Sequence, residues 1–216
     1  MNAPMRLRPI MTVVFAVALC SACASGKAAP QVTHDGLQLV SDSKMERLWV
    51  KPGEDFSQYN MIGLLDCYVA FKKGWRTNHP DLRRSDMQKT RQWLTAEFRE
   101  VFTAKLLGNG YSIATAPKKG VLLVRPALID LEIFEPDASS MTFTVSTDSV
   151  KLYVELYDAE SSEILARAAD RIQANHIGDV EVSSFVTNSD DTRRLLKHWA
   201  GRLVGELNAL HGKTKN

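Results

Sequence analysis

Three thiols are the side chains best suited to covalent chemistry, and their neighbours assign them different work. Cys23 follows Leu19-Cys20-Ser21-Ala22, with two small residues directly before it, at the end of an uncharged run from Ile10 to Leu19. Small residues there suit a peptidase cut at the end of a leader. Cys20 leaves with such a leader. Cys67 lies in the apolar run Met61 to Phe71, where a lone thiol reads as a small buried hydrophobe rather than a nucleophile.

No other spacing points to a reaction. The chain lacks GxSxG, HExxH, CxxC and a P-loop, and Gly108-Asn109-Gly110 closes a helix where a dinucleotide fingerprint would open one. His34, His79, His176, His198 and His211 are scattered, with no two at metal-ligand spacing, so no catalytic residue, cofactor or metal site is expected. Asp130, Glu132, Glu135 and Asp137 form the densest acidic stretch; it reads as a solvated face, with a cation or a basic partner as the sharper alternative. Lys72, Lys73, Arg76, Arg83 and Arg84 gather around Trp75 in a loop. Trp75 and Arg76 are therefore the candidate partner surface, against the plainer reading of Trp75 as a lid on the core. Asp81 and Asp86 dilute that basic field.

The leader sets where these groups work. Ten apolar residues span about 15 Å of helix, roughly half the hydrocarbon thickness, so the run is the h-region of a signal peptide and not a membrane span. Its ending resembles the bacterial lipobox, with Cys20 standing where leucine is usual and Leu19 adjacent, and the resemblance implies a cut before Cys23 and lipid attached to the Cys23 thiol. Cys67 then has no cysteine left to pair with, and no intramolecular disulfide is expected. An ordinary secretory cut near Ala22 or Ala24 is the alternative. The division expected is a lipoprotein signal peptide at 1–22, a tether at 23–33 and a single domain at 34–216. Ala24, not aspartate, follows the cysteine. By resemblance to enterobacterial sorting that implies the periplasmic face of the outer membrane, with inner-membrane retention as the alternative.

Removing 1–22 takes away Arg6 and Arg8 and leaves basic and acidic side chains equal in number. A domain with no net field is not a general nucleic-acid binder. Its length suffices to bury a real core.

Elements follow from periodicity. Gly36 to Val40 and Arg47 to Val50 are short strands, and Tyr59 to Phe71 reads as the first long one, covered on both faces. Ser85 with Gln88 makes a capping box for a helix that buries Leu94, Phe98, Val101, Phe102 and Leu106 and ends at Gly108-Asn109-Gly110. Val121 to Phe134 alternates, and Pro126 places that point at an edge or a bulge. Val150, Leu152, Val154 and Leu156 face inward; Asp158 to Glu163 then turns the chain into an antiparallel return from Ile164 to Ile172. Glu135 to Ser149 reads as a loop, or as a loop lending Thr142 to Val145 as an extension. Asn188 and Ser189 cap a second amphipathic helix carrying Leu196, Trp199, Leu203, Leu207 and Leu210.

Asp35-Gly36-Leu37, the run Trp49 to Tyr59, Val69-Ala70-Phe71 with Trp75 behind it, Tyr157-Asp158 with Ser161, Ser162 and Glu163, and the helix with Trp199 and Arg202 together resemble the bacterial lipoproteins of domain-of-unknown-function family 3313, over residues 35 to 210. The resemblance implies an envelope lipoprotein and no particular catalysis. The order of elements also resembles, at the level of fold, periplasmic adaptor lipoproteins with two helices on a sheet. The fold expected is α+β: a mostly antiparallel twisted sheet with helices at 85–107 and 189–211. The function expected is a non-catalytic, lipid-anchored adaptor or structural module that binds an envelope protein or cell-wall partner. The alternative is a carrier of an apolar small molecule between sheet and helices.

Overall fold

The alternating runs at 121–131 and 151–158 become the two strands at the middle of the sheet. The computed structural model describes residues 29–78, 80, 83–134, 144–145, 150–171 and 189–213. In chain order the strands are β1 (Gln38–Leu39), β2 (Arg47–Val50), β3 (Met61–Leu64), β4 (Tyr68–Phe71), β5 (Ser112–Ile113), β6 (Val121–Leu131), β7 (Ile133–Phe134), β8 (Thr144–Val145), β9 (Lys151–Asp158) and β10 (Ile164–Arg171). The helices are α1 (Trp75–Asn78), α2 (Arg84–Leu107) and α3 (Ser189–Leu210).

The main sheet has eight strands in the order β1-β2-β10-β9-β6-β3-β5, with β4 also pairing β6. From β1 to β6 every pair is antiparallel, whereas β3 and β4 against β6, and β3 against β5, are parallel. The sheet is therefore mixed, which corrects the expectation of a mostly antiparallel one, and the described residues form three α-helices where two were expected. The physical reason is α2. A long helix between β4 and β6 is a crossover connection, and a crossover returns the chain in the direction it left.

The long strand expected at Tyr59 to Phe71 is two strands broken at Leu65 to Cys67. Pro126 explains where the break falls: β3 pairs with 121–124 and β4 with 127–131, so Arg125 and Pro126 lie opposite the interruption. A residue without an N–H is thereby accommodated inside a strand with neighbours on both sides, not at an edge. A bulge follows, since Val69 opposes Leu128 but Phe71 opposes Leu131. Asp130 takes up the extra residue with φ of 57°, the left-handed region.

In α2 the expected stripe of Leu94, Phe98, Val101, Phe102 and Leu106 is buried, and the rings of Phe98 and Phe102 stack at 3.7 Å. The capping box is not made. The helix begins at Arg84, and Arg83 caps it without a side-chain bond, which leaves Ser85 inside the first turn. Gly108 stays right-handed, and Gly110, with φ of 79°, makes the turn out of the helix. In α3, Leu196, Trp199, Leu203 and Leu207 are buried as the spacing requires.

Both long helices lie on one face of the sheet, over Ile62, Leu122, Val124, Leu128, Leu152, Val154, Leu156 and Ala168. Among the described residues, nothing covers the other face over most of its width. Register alone places Trp49, Arg167, Glu155 and Arg125 in one row across it, and Arg47, Ala169, Tyr153, Ala127 and Tyr68 in the next. The segment before β1 covers its margin. Leu39 N–H donates to the Gln31 carbonyl, Trp49 Nε1–H donates to the Pro30 carbonyl at 2.9 Å, and Arg167 donates to Asp35 at 2.8 Å. The chain is thus already seated on the sheet at Pro30.

Candidate functional site

The residues singled out by sequence fall in different places. Cys23, the leader, Glu135 and Asp137 lie outside the described residues. The Trp75 ring is 7 % exposed and belongs to the core, while its neighbour Arg76 is exposed, so the two do not form one surface. Of the acidic stretch, Glu132 accepts from Lys72 and Asp130 from Lys151 at 2.6 Å. These carboxylates are engaged in ion pairs rather than gathered around a common point. Among the described residues no group of three or more His, Cys, Asp or Glu side chains could hold a metal ion.

Cys67 is 5 % exposed, between the broken strands and α2, where Thr95 Oγ1–H donates to its carbonyl. Burial pushes its thiol up to about 12, partly opposed by a backbone hydrogen bond. A thiol held that high is almost wholly protonated at neutral pH. Labelling of the folded protein by a polar maleimide is expected to be slow, with Cys67→Ala costing about 1 kcal/mol. Complete labelling within minutes in a native-state thiol assay would contradict this.

Two features were not singled out by sequence. The first is a buried ion pair between layers. Asp170, on the helix side of β10, accepts two hydrogen bonds from Arg202 Nη1 at 2.9 and 3.1 Å, and a third from the Glu46 N–H at 2.9 Å. Burial raises its carboxyl above the usual value, against the Glu46 N–H and the Arg202 charge. Burial likewise lowers His198, one turn before Arg202 on α3.

The second is a cleft of about 390 Å³ where the loop before β2 meets the end of α3, lined by Asp42, Lys44, Glu206, Asn208, Ala209 and Lys213 among others. Glu206 is 6 % exposed and fixes the loop by accepting from Ser43 Oγ–H at 3.0 Å and from the Lys44 and Met45 N–H groups. Gly205 lets the Lys44 stem approach, since a Cβ there would stand 3.3 Å from its Cδ. At the far wall Lys213 lies 4.2 Å over the Tyr111 ring, whose hydroxyl donates to Asn208. Carboxylates and ammonium groups of both signs thus converge on a cleft with a small-residue floor. Sequence spacing could not show it, because Asp42 and Lys44 are some 160 positions from Glu206.

Apolar space between sheet and α3 is different in kind. The gap bounded by Met45, Leu48, Val154, Leu156, Leu203, Leu207 and Leu210 amounts to about 10 Å³, room for about one water molecule at most.

The fold is that of a two-layer α/β domain, a mixed sheet with two long helices on one face. The chain belongs to the DUF3313 family, described as a protein family of unknown function, whose pattern matches residues 24–203. No curated protein matches it. Among solved structures it is similar to a single-substitution form of the PelC dodecamer from Paraburkholderia phytofirmans, at 8% identity and TM-score 0.38, covering 74% of this chain and 97% of that one. It is also similar to a neuraminyllactose-binding hemagglutinin homolog from Helicobacter pylori, at 16% identity and TM-score 0.30, covering 73% and 84%.

Proposed function

We propose that this protein is a non-catalytic lipoprotein, anchored through Cys23 on the periplasmic face of the outer membrane, that holds a polar segment of an envelope protein in the cleft at the end of α3. The cleft carries the reading. Its volume is that of a binding site, its lining is charged, and the carboxylate that shapes it, Glu206, is spent on holding the loop through the Ser43 hydroxyl and the Lys44 and Met45 N–H groups. The tight packing of the described residues between sheet and α3 favours a protein partner over an apolar cargo there, since about 10 Å³ admits no small molecule.

The test is in-cell crosslinking from a photoreactive residue at Ala209, in the native lipoprotein. A discrete adduct that disappears in Lys44→Glu and Lys213→Glu, with the chain still folded and present at normal level, supports the reading. No adduct from Ala209, or an adduct indifferent to both charge reversals, overturns it.

A further inference from the structure

The open sheet face has no part in that cleft, and its margin is where the chain comes in from the N-terminus. We propose that the corner formed by Arg47, Lys151, Arg171 and Tyr153 rests on the anionic headgroups of the anchoring membrane, so that the domain sits sheet-down with its helices outward. The proposal relies on the lipid anchor at Cys23.

Three observations converge on it. First, the chain enters on this face. Pro30 is fixed to Trp49, Arg47 lies two residues back along β2 on the same face, about 7 Å away. Six residues lie between Cys23 and Pro30, a reach of at most about 25 Å. Second, among the described residues the corner is basic with one charge to spare. Among the described residues the cations of the face are Arg47, Arg125, Lys151, Arg167 and Arg171, and its carboxylates are Asp35, Glu46, Asp130 and Glu155. Asp130 takes Lys151, Glu46 takes Arg171, and Asp35 with Glu155 takes Arg167, with Glu155 also 3.6 Å from Arg125. Arg47 has no ion pair among the described residues, and it borders a hollow of about 160 Å³ shared with Lys151, Tyr153, Ala169 and Arg171. Asp170 also borders the hollow, but it is committed to Arg202. Third, the same row carries Tyr68 and Tyr153, which are 67 % and 37 % exposed, with Ala127 between them. Tyrosine, apolar in body and polar at the tip, suits the headgroup level.

A single spare cation gives only about a fivefold preference for an anionic surface. That is enough here, because a short tether makes the contact intramolecular, at an effective concentration in the millimolar range.

The lipidated full-length chain, carrying a fluorophore at Ala127→Cys, is reconstituted in phosphatidylcholine vesicles with or without phosphatidylglycerol, and quenching by headgroup-labelled lipid is read. Buried Cys67 and acylated Cys23 leave the new thiol as the labelling site. Flotation with phosphatidylcholine vesicles reports the anchor first; a chain that fails to float overturns the anchor and the proposal together. Among floating chains, strong quenching that requires phosphatidylglycerol, that Arg47→Gln weakens about fivefold and that high salt removes supports the proposal. Equal quenching in both vesicles, or no effect of Arg47→Gln, overturns the proposal and leaves the anchor standing.

Discussion

Arg202→Met is expected to destabilise the domain by about 3–5 kcal/mol, because it strands a carboxylate that water cannot reach. The Asp170 side chain is fully buried, whereas Arg202 keeps about a third of its surface. Loss of the guanidinium leaves the carboxylate with one hydrogen bond, from the Glu46 N–H, and with a half-buried His198 nearby. For a domain of this size the corresponding fall in melting temperature is about 10 °C.

The sign of the pH dependence follows from the direction of the Asp170 shift. Its folded pKa already lies above the unfolded value, so protonation favours the folded state: the contribution is favourable at low pH and is lost as pH rises through the folded pKa. Arg202 offsets that loss in the native protein. The cost of Arg202→Met is therefore largest at neutral pH and shrinks on acidification, as the lone carboxylate takes up a proton. Asp170→Asn combined with Arg202→Met removes both charges and should recover most of the loss. Urea unfolding of the two variants at pH 7 and pH 5 checks this. A single variant within about 0.5 kcal/mol of the native chain, or a double variant no better than the single, would sink the account.

The same pair shows what sequence could and could not reveal. Periodicity placed Leu196, Trp199, Leu203 and Leu207 on one face of α3 and the valines and leucines of β9 on the helix side, because each pattern is local and repeats at the period of its own element. Asp170 alternates correctly with Ala166 and Ala168 toward the helices, but nothing in the chain says that Arg202 will stand above it. Pro126 is the converse case. Its missing N–H correctly signalled a fault in the ladder, yet the fault lies in the neighbouring strand, at Leu65 to Cys67. The parallel half of the sheet was missed for a related reason. The hairpin at Asp158 to Glu163 is a strong local signal, whereas the crossover through α2 shows only as strands, helix, strands. As for the cleft, Glu206 reads in sequence as one more charge on an amphipathic helix. Its role appears only when the loop carrying Asp42 and Lys44 is laid against it.

The largest effect expected of any substitution is on location. On the proposed anchoring, Cys23→Ser removes the thioether site, and with it acyl chains whose burial is worth about 0.8 kcal/mol per methylene, enough with two or more chains to make detachment negligible. Among the described residues no helix is long and apolar enough to cross a membrane, and one spare cation at Arg47 cannot replace a covalent lipid. The native chain is expected to incorporate an alkyne-bearing fatty acid and to stay with outer-membrane markers through salt and carbonate washes. Cys23→Ser should incorporate none and should yield no mature-length protein in the washed membrane, only uncut precursor or released chain. Mature-length Cys23→Ser that persists in the washed pellet would mean a second anchor, and a native chain that takes up no fatty acid would mean an ordinary secretory cut. Either result also bears on orientation, because the short segment between Cys23 and Pro30 brings the basic corner to the headgroups only if its far end is held in the bilayer.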